Sequence, residues 1–145
     1  MRLRRYVRTN QSLSKRREVN EFLDTMSARL KSLALAVLEN ETAAAHAHQA
    51  AVRSIRARWR HIAAADRAWV ARRELMDQVL LNGGRWIFIS PIDTPVYSRF
   101  NRTPEDASSL RRRAAAALVF DDWVTAEEAA RVLRCTEDAL RELST

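Results

Sequence analysis

The chain has 145 residues, of which 47% are hydrophobic and only 2 are Gly and 3 Pro, so it is long enough for one ordinary domain and poor in the breakers that mark disordered chains. Lys and Arg number 25 against 18 Asp and Glu, and the resulting +7 favours polyanionic partners, meaning nucleic acid, an anionic membrane face or an acidic protein. Cys135 is the single cysteine, which excludes an intrachain disulfide and a cysteine-built zinc site and fits a reducing, cytoplasmic setting, bacterial or phage in flavour.

Residues 1–13 read as a basic arm. Arg2, Arg4, Arg5 and Arg8 are placed to lie along phosphates or enter a minor groove, although a merely solvated terminus has the same composition. The arm lacks the apolar core of a secretory signal, and nowhere do 18 uninterrupted apolar residues suggest a membrane span.

Residues 14–81 read as a long helical hairpin. Val19, Leu23, Met26, Leu30, Leu33 and Val37 alternate steps of four and three, the seam spacing of coiled coils. The phase slips near "ENET", where Asn40 or Thr42 can cap a second helix whose seam runs through Val52, Ile55, Trp59, Ile62, Trp69, Met76 and Leu80. A single rod with a stutter is the alternative. Neither seam has enough neighbours alone, so a homodimer through this region is expected. On the second helix Arg53, Arg56, Arg60 and Arg67 share a sector of about 60° off the seam. That stripe suits phosphate contacts, and equally suits shielding of the seam by methylene stems.

Residues 82–103 carry the only good β signal. Asn82-Gly83-Gly84 is expected to end the helix, and "RWIFIS" and "VYSRF" to pair as a β-hairpin with Arg85 and Arg99 on it, like the basic residues of a wing. In residues 104–145, "TPED" opens a helix running to about Phe120, with Arg111, Arg112 and Arg113 as a basic cluster. Thr125 caps a short helix with Glu128 three residues on, "RCT" turns, and a last helix starts at Glu137.

"VTAEEAARVLRCTEDALREL" resembles the helix-turn-helix of the MerR and excisionase-like families over about 20 residues. The resemblance implies Thr125 and Thr136 as caps, Ala129 at the helix crossing, Val132 and Leu133 as core, and Ala139, Leu140 and Leu143 packing the second helix. Arg134 stands where the family usually has Gly in the turn, and Cys135 where a β-branched residue is usual. Electrostatics disfavours groove reading here. From Ala114 to Thr145 three Arg (131, 134, 141) face seven acids, a regional −4 that leaves +11 for the remainder. Glu137 and Asp138 occupy the positions that normally meet base edges, with only Arg141 behind them.

Catalysis finds little support. His46 and His48 diverge by about 200° on a helix, His61 is remote, Cys135 has no neighbouring His, and Gly83-Gly84 is no phosphate loop. Trp59 and Trp69 sit on the apolar seam and read as core. The sequence therefore points to a mainly α, non-enzymatic DNA-binding regulator or accessory factor, a cytoplasmic homodimer with no cofactor or metal. Its expected contacts are Arg2, Arg4, Arg5, Arg8, Arg53, Arg56, Arg60, Arg67, Arg85, Arg99, Arg111, Arg112, Arg113 and Arg141. The rival reading is a helical adaptor, scaffold or inhibitor docking on an acidic protein; membrane binding is the weakest, for want of an exposed amphipathic helix.

Overall fold

The computed structural model describes residues 2–89 and 104–144, and the side chains of residues 13–80 and 109–143 within them. Among the described residues there are six α-helices and no strand. Helix α1 (Arg2–Leu38) carries the first seam, and Val19, Leu23, Met26, Leu30, Leu33 and Val37 are all buried. It starts at Arg2 and not at residue 14, so the stretch read as a separate arm is backbone of the same helix. Nothing in residues 1–13 breaks a helix, since the segment holds no Gly or Pro.

The chain turns where the phase slips. Glu39 adopts φ 55°, and its N–H donates to the Leu35 carbonyl at 2.8 Å, the bond of a left-handed helix cap with Glu in the place glycine usually takes. Asn40 then caps α2 (Glu41–Arg58), its Oδ1 accepting from the Ala43 N–H at 2.9 Å. Ala44, Ala47 and Ala51 are buried, which lets α2 approach α1 closely. Arg56 Nη1 donates to Asn20 Oδ1 at 2.8 Å, and Ser27 Oγ lies 3.1 Å from His48 Nε2, so the two helices run antiparallel as a hairpin. His48 is buried, and its pKa lies below the usual 6.5 because burial disfavours the charged ring, with Lys31 adding repulsion.

The second seam does not continue as one helix to residue 81. Two 3₁₀ turns, Trp59–His61 and Ala64–Asp66, reverse the chain, and α3 (Arg67–Ile89) returns along α2. Ser54 Oγ donates to Glu74 Oε2 at 2.7 Å and Arg58 Nη1 to Glu74 Oε1 at 2.8 Å, tying the pair together. The reversal brings Ala71, Leu75, Met76 and Val79 into the core that the first two helices leave open. Burial of that apolar surface outweighs helix continuity, which hydrogen bonding within the 3₁₀ turns partly preserves.

The β-hairpin expected over residues 82–103 is corrected in its first half. Residues 82–89, including Gly83, Gly84 and Arg85, belong to α3, while the second expected strand with Arg99 lies outside the described residues. Each glycine costs a helix only about 1 kcal/mol, and a short apolar run such as "WIFI" fits a helix as well as a strand.

Helix α4 (Pro104–Ala116) begins at the expected proline but passes at Ala117 into a π turn, Ala117–Asp121, closed by Asp122 N–H to the Ala117 carbonyl at 3.0 Å. Helices α5 (Ala126–Leu133) and α6 (Glu137–Ser144) follow. Thr125 Oγ1 accepts from the Glu128 N–H at 3.2 Å, and Thr136 Oγ1 from the Ala139 N–H at 3.1 Å. Between them Arg134 sits at φ 56°, with Cys135 N–H donating to the Ala130 carbonyl at 3.0 Å and Arg134 N–H to the Arg131 carbonyl at 3.3 Å, a Schellman closure. Leu110, Ala114, Leu118, Ala129, Val132, Leu133 and Leu140 join these helices to the core shared with α1 and α3.

Candidate functional site

The antiparallel register of α1 and α2 sets Lys15, Arg16 and Val19 opposite Arg56, Trp59 and Arg60. Together they line a cleft of about 340 Å³ whose walls are cationic and whose floor is apolar. Arg56 is steadied by Asn20. Lys15, Arg16 and Arg60 are exposed and have no hydrogen-bond or ion-pair partner among the described residues. Arg53 stands one turn earlier on α2, also exposed. Like charges gathered this closely repel, so a bound anion would relieve a repulsion that nothing in the cleft itself offsets.

Two neighbours explain why the cleft stays cationic. The nearby acid, Glu18, is occupied by Arg67 Nη2 at 2.9 Å, and the same guanidinium lies 4.2 Å from the centre of the Trp59 ring. Arg67 therefore neutralises a carboxylate and packs on an aromatic face, and does not complete the stripe expected from the helical wheel. It belongs to α3, beyond the reversal at residues 59–66, and not to the helix that carries Arg53 and Arg56. Trp59 is only 5% exposed, and Phe22 packs beside its ring with centroids 5.3 Å apart. With both Arg67 and Phe22 on it, the ring is core and not a stacking platform for bases.

Several other arginines that the sequence nominates are committed to internal contacts. Arg111 Nη2 donates to the Leu133 carbonyl at 3.2 Å, and Arg113 Nη1 pairs with Glu39 at 3.1 Å. Arg141 lies 3.9 Å from Asp138 on its own helix. Arg112 is exposed. The backbones of Arg2, Arg4, Arg5 and Arg8 lie on α1 and that of Arg85 on α3, while their side chains, like all of Arg99, lie outside the described residues.

The chain also uses arginines that are not among the expected contacts. Arg72 and Asp122, 50 residues apart, form a buried ion pair at 2.5 Å that pins the π turn to α3. Arg134 grips Asp77 with two hydrogen bonds, at 3.3 and 2.9 Å, which fasten the α5–α6 turn to α3 and raise the Arg134 pKa. Lys15 and Arg16 escape a reading of the sequence because they meet Arg56 and Arg60 only when α2 folds back beside them. Glu137 and Asp138 at the start of α6 are exposed, so the outer surface of that helix begins with two acids.

Among the described residues no group of three or more His, Cys, Asp and Glu side chains is placed to hold a metal, and no helix is long and apolar enough to cross a membrane. Compared with known proteins, the chain matches no family model, no curated protein and no solved structure.

Proposed function

We propose that the chain is a non-enzymatic DNA-binding regulator or accessory factor that holds duplex phosphates in the α1–α2 cleft. The observation that supports this reading is the convergence of Lys15 and Arg16 from α1, Arg56 from α2 and Arg60 from the 3₁₀ turn after it on one open surface, with the adjacent carboxylate Glu18 already neutralised. Phosphate contacts of this kind position a protein on a duplex without reading bases. In the same proposal the α5–turn–α6 unit is helix-turn-helix-like, resembling the MerR and excisionase-like families. Arg134 supports that reading by taking the left-handed position where those families usually place Gly. Its acidic outer surface suits contact with protein better than insertion into a groove.

The experiment is fluorescence anisotropy with a labelled duplex across a salt series, comparing the native chain with Arg16→Gln, Arg56→Gln and Arg60→Gln combined. Binding that weakens on substitution is the expected result, with a salt slope reduced by about one for each phosphate no longer neutralised. Equal binding by both proteins would refute the assignment of the cleft. The second reading, a helical module docking on an acidic protein, is favoured by the same gathering of unpaired cations in the cleft, and predicts tight capture of an acidic polypeptide with no measurable duplex binding at low salt.

A further inference from the structure

We propose that a second copy of this chain docks on the face formed by residues 28–36 of α1 and the π turn, with the Trp123 of each copy seated against the α1 of the other. This surface is distinct from the cationic cleft, since Arg16 precedes Ala28 by roughly 18 Å along α1 at 1.5 Å per residue.

Four observations converge. Trp123 is 87% exposed and Phe120 63%, in a chain that buries or half-buries nearly all its other large apolar side chains among the described residues. Trp123 also holds φ 54°, a conformation costly for a bulky residue. The surroundings impose it: Asp122 is locked to Arg72, while Val124 is buried with its N–H donating to the Leu118 carbonyl at 3.0 Å. The backbone thus holds strain and presents the indole outward, which asks for a role outside the monomer.

Beside the indole runs a groove of about 720 Å³ floored by Leu33 and Val124. Its α1 wall bears Ala28, Ser32 and Ala36, all exposed, spaced four residues apart and small enough to admit a ring against the helix backbone. Leu35, 43% exposed, extends the apolar surface alongside.

The charges name the occupant. Arg29 stands on the α1 wall and Asp121 on the opposite wall, and neither has a partner among the described residues. A duplex would be repelled by Asp121 and has nothing for the indole, and an acidic peptide gains little from a face with one unpaired charge of each sign beside the Arg72–Asp122 pair. A two-fold interface has the matching requirement: each copy must supply both a projection and a recess, and both a cation and an anion. This face carries all four, so that Arg29 of one copy meets Asp121 of the other twice.

Sedimentation equilibrium over a concentration series tests the proposal, with circular dichroism as a check on folding. The native chain should dimerise, and Trp123→Ala should weaken dimerisation about tenfold or more, as loss of a central tryptophan usually does. Arg29→Asp and Asp121→Arg should each weaken it, and the double variant should recover most of the loss, because the exchanged charges attract again. A native chain that stays monomeric overturns the proposal. So does a dimer indifferent to all three substitutions, or one in which the two charge reversals simply add. None of these results bears on duplex binding by the cleft, so the two proposals fail separately.

Discussion

The α1–α2 cleft and the α4–α6 region use the same side chain in opposite ways. In the cleft Arg16 and Arg60 are exposed without partners among the described residues, whereas around α4–α6 Arg72, Arg111, Arg113 and Arg134 are tied to Asp122, the Leu133 carbonyl, Glu39 and Asp77. The triple run Arg111 to Arg113 is the more conspicuous in the sequence, yet two of its members are engaged in holding helices together. Density of arginine along a chain is therefore a weaker guide to a binding surface than the supply of carboxylates and carbonyls within reach of it.

The sharpest way to break this contrast is to remove a partner from the engaged region. Asp122→Ala leaves Arg72 buried and unpaired, and should cost about 3 to 5 kcal/mol in urea unfolding, the usual penalty for breaking a buried pair. A loss under about 1 kcal/mol, the scale of an exposed pair, would mean that this pair does not hold the π turn. In the cleft, the combined Arg16, Arg56 and Arg60 substitutions should leave the unfolding midpoint nearly unchanged while lowering duplex affinity by about tenfold to a hundredfold at moderate salt. A large drop in stability instead would reclassify these cations as structural.

A smaller effect concerns pH. Because the folded chain holds the His48 pKa below 6.5, the unfolded chain binds more protons in that range. Stability from this group is complete above pH 6.5 and is lost as pH falls through 6.5 toward the lowered value. His48→Gln should flatten the slope of stability against pH across that window, and an unchanged slope would assign it to other groups. Smallest of all, Arg134→Gly relieves a left-handed backbone and gives up an exposed pair with Asp77, so the net change should lie within about 1 kcal/mol of zero. A large loss in thermal unfolding would show that Asp77 anchors the turn more firmly than exposed pairs usually do.

Much of the core was legible in the sequence. The seam from Val19 to Val37 is buried as its spacing implies, and Asn40, Thr125 and Thr136 cap helices because their side-chain oxygens accept from free N–H groups. The reversal at residues 59–66 was not legible, because no Gly or Pro marks it and apolar residues continue through Trp59, Ile62 and Trp69. Only the completed core, with Leu75, Met76 and Val79 against α1 and α2, gives the reason to turn. That reversal also removes the argument that these seams need a second copy to cover them. Part of the candidate site was visible in Arg56 and Arg60. Lys15 and Arg16 were not, since their juxtaposition depends on a register between helices that local pattern does not encode.

The cleft's role rests most directly on the salt dependence of duplex binding. Anisotropy with a short duplex should give a log-log slope of magnitude about 3 to 6 for the native chain, and a clearly smaller one once Arg16, Arg56 and Arg60 are glutamines. No binding at low salt, or a slope that those three substitutions leave untouched, would contradict it.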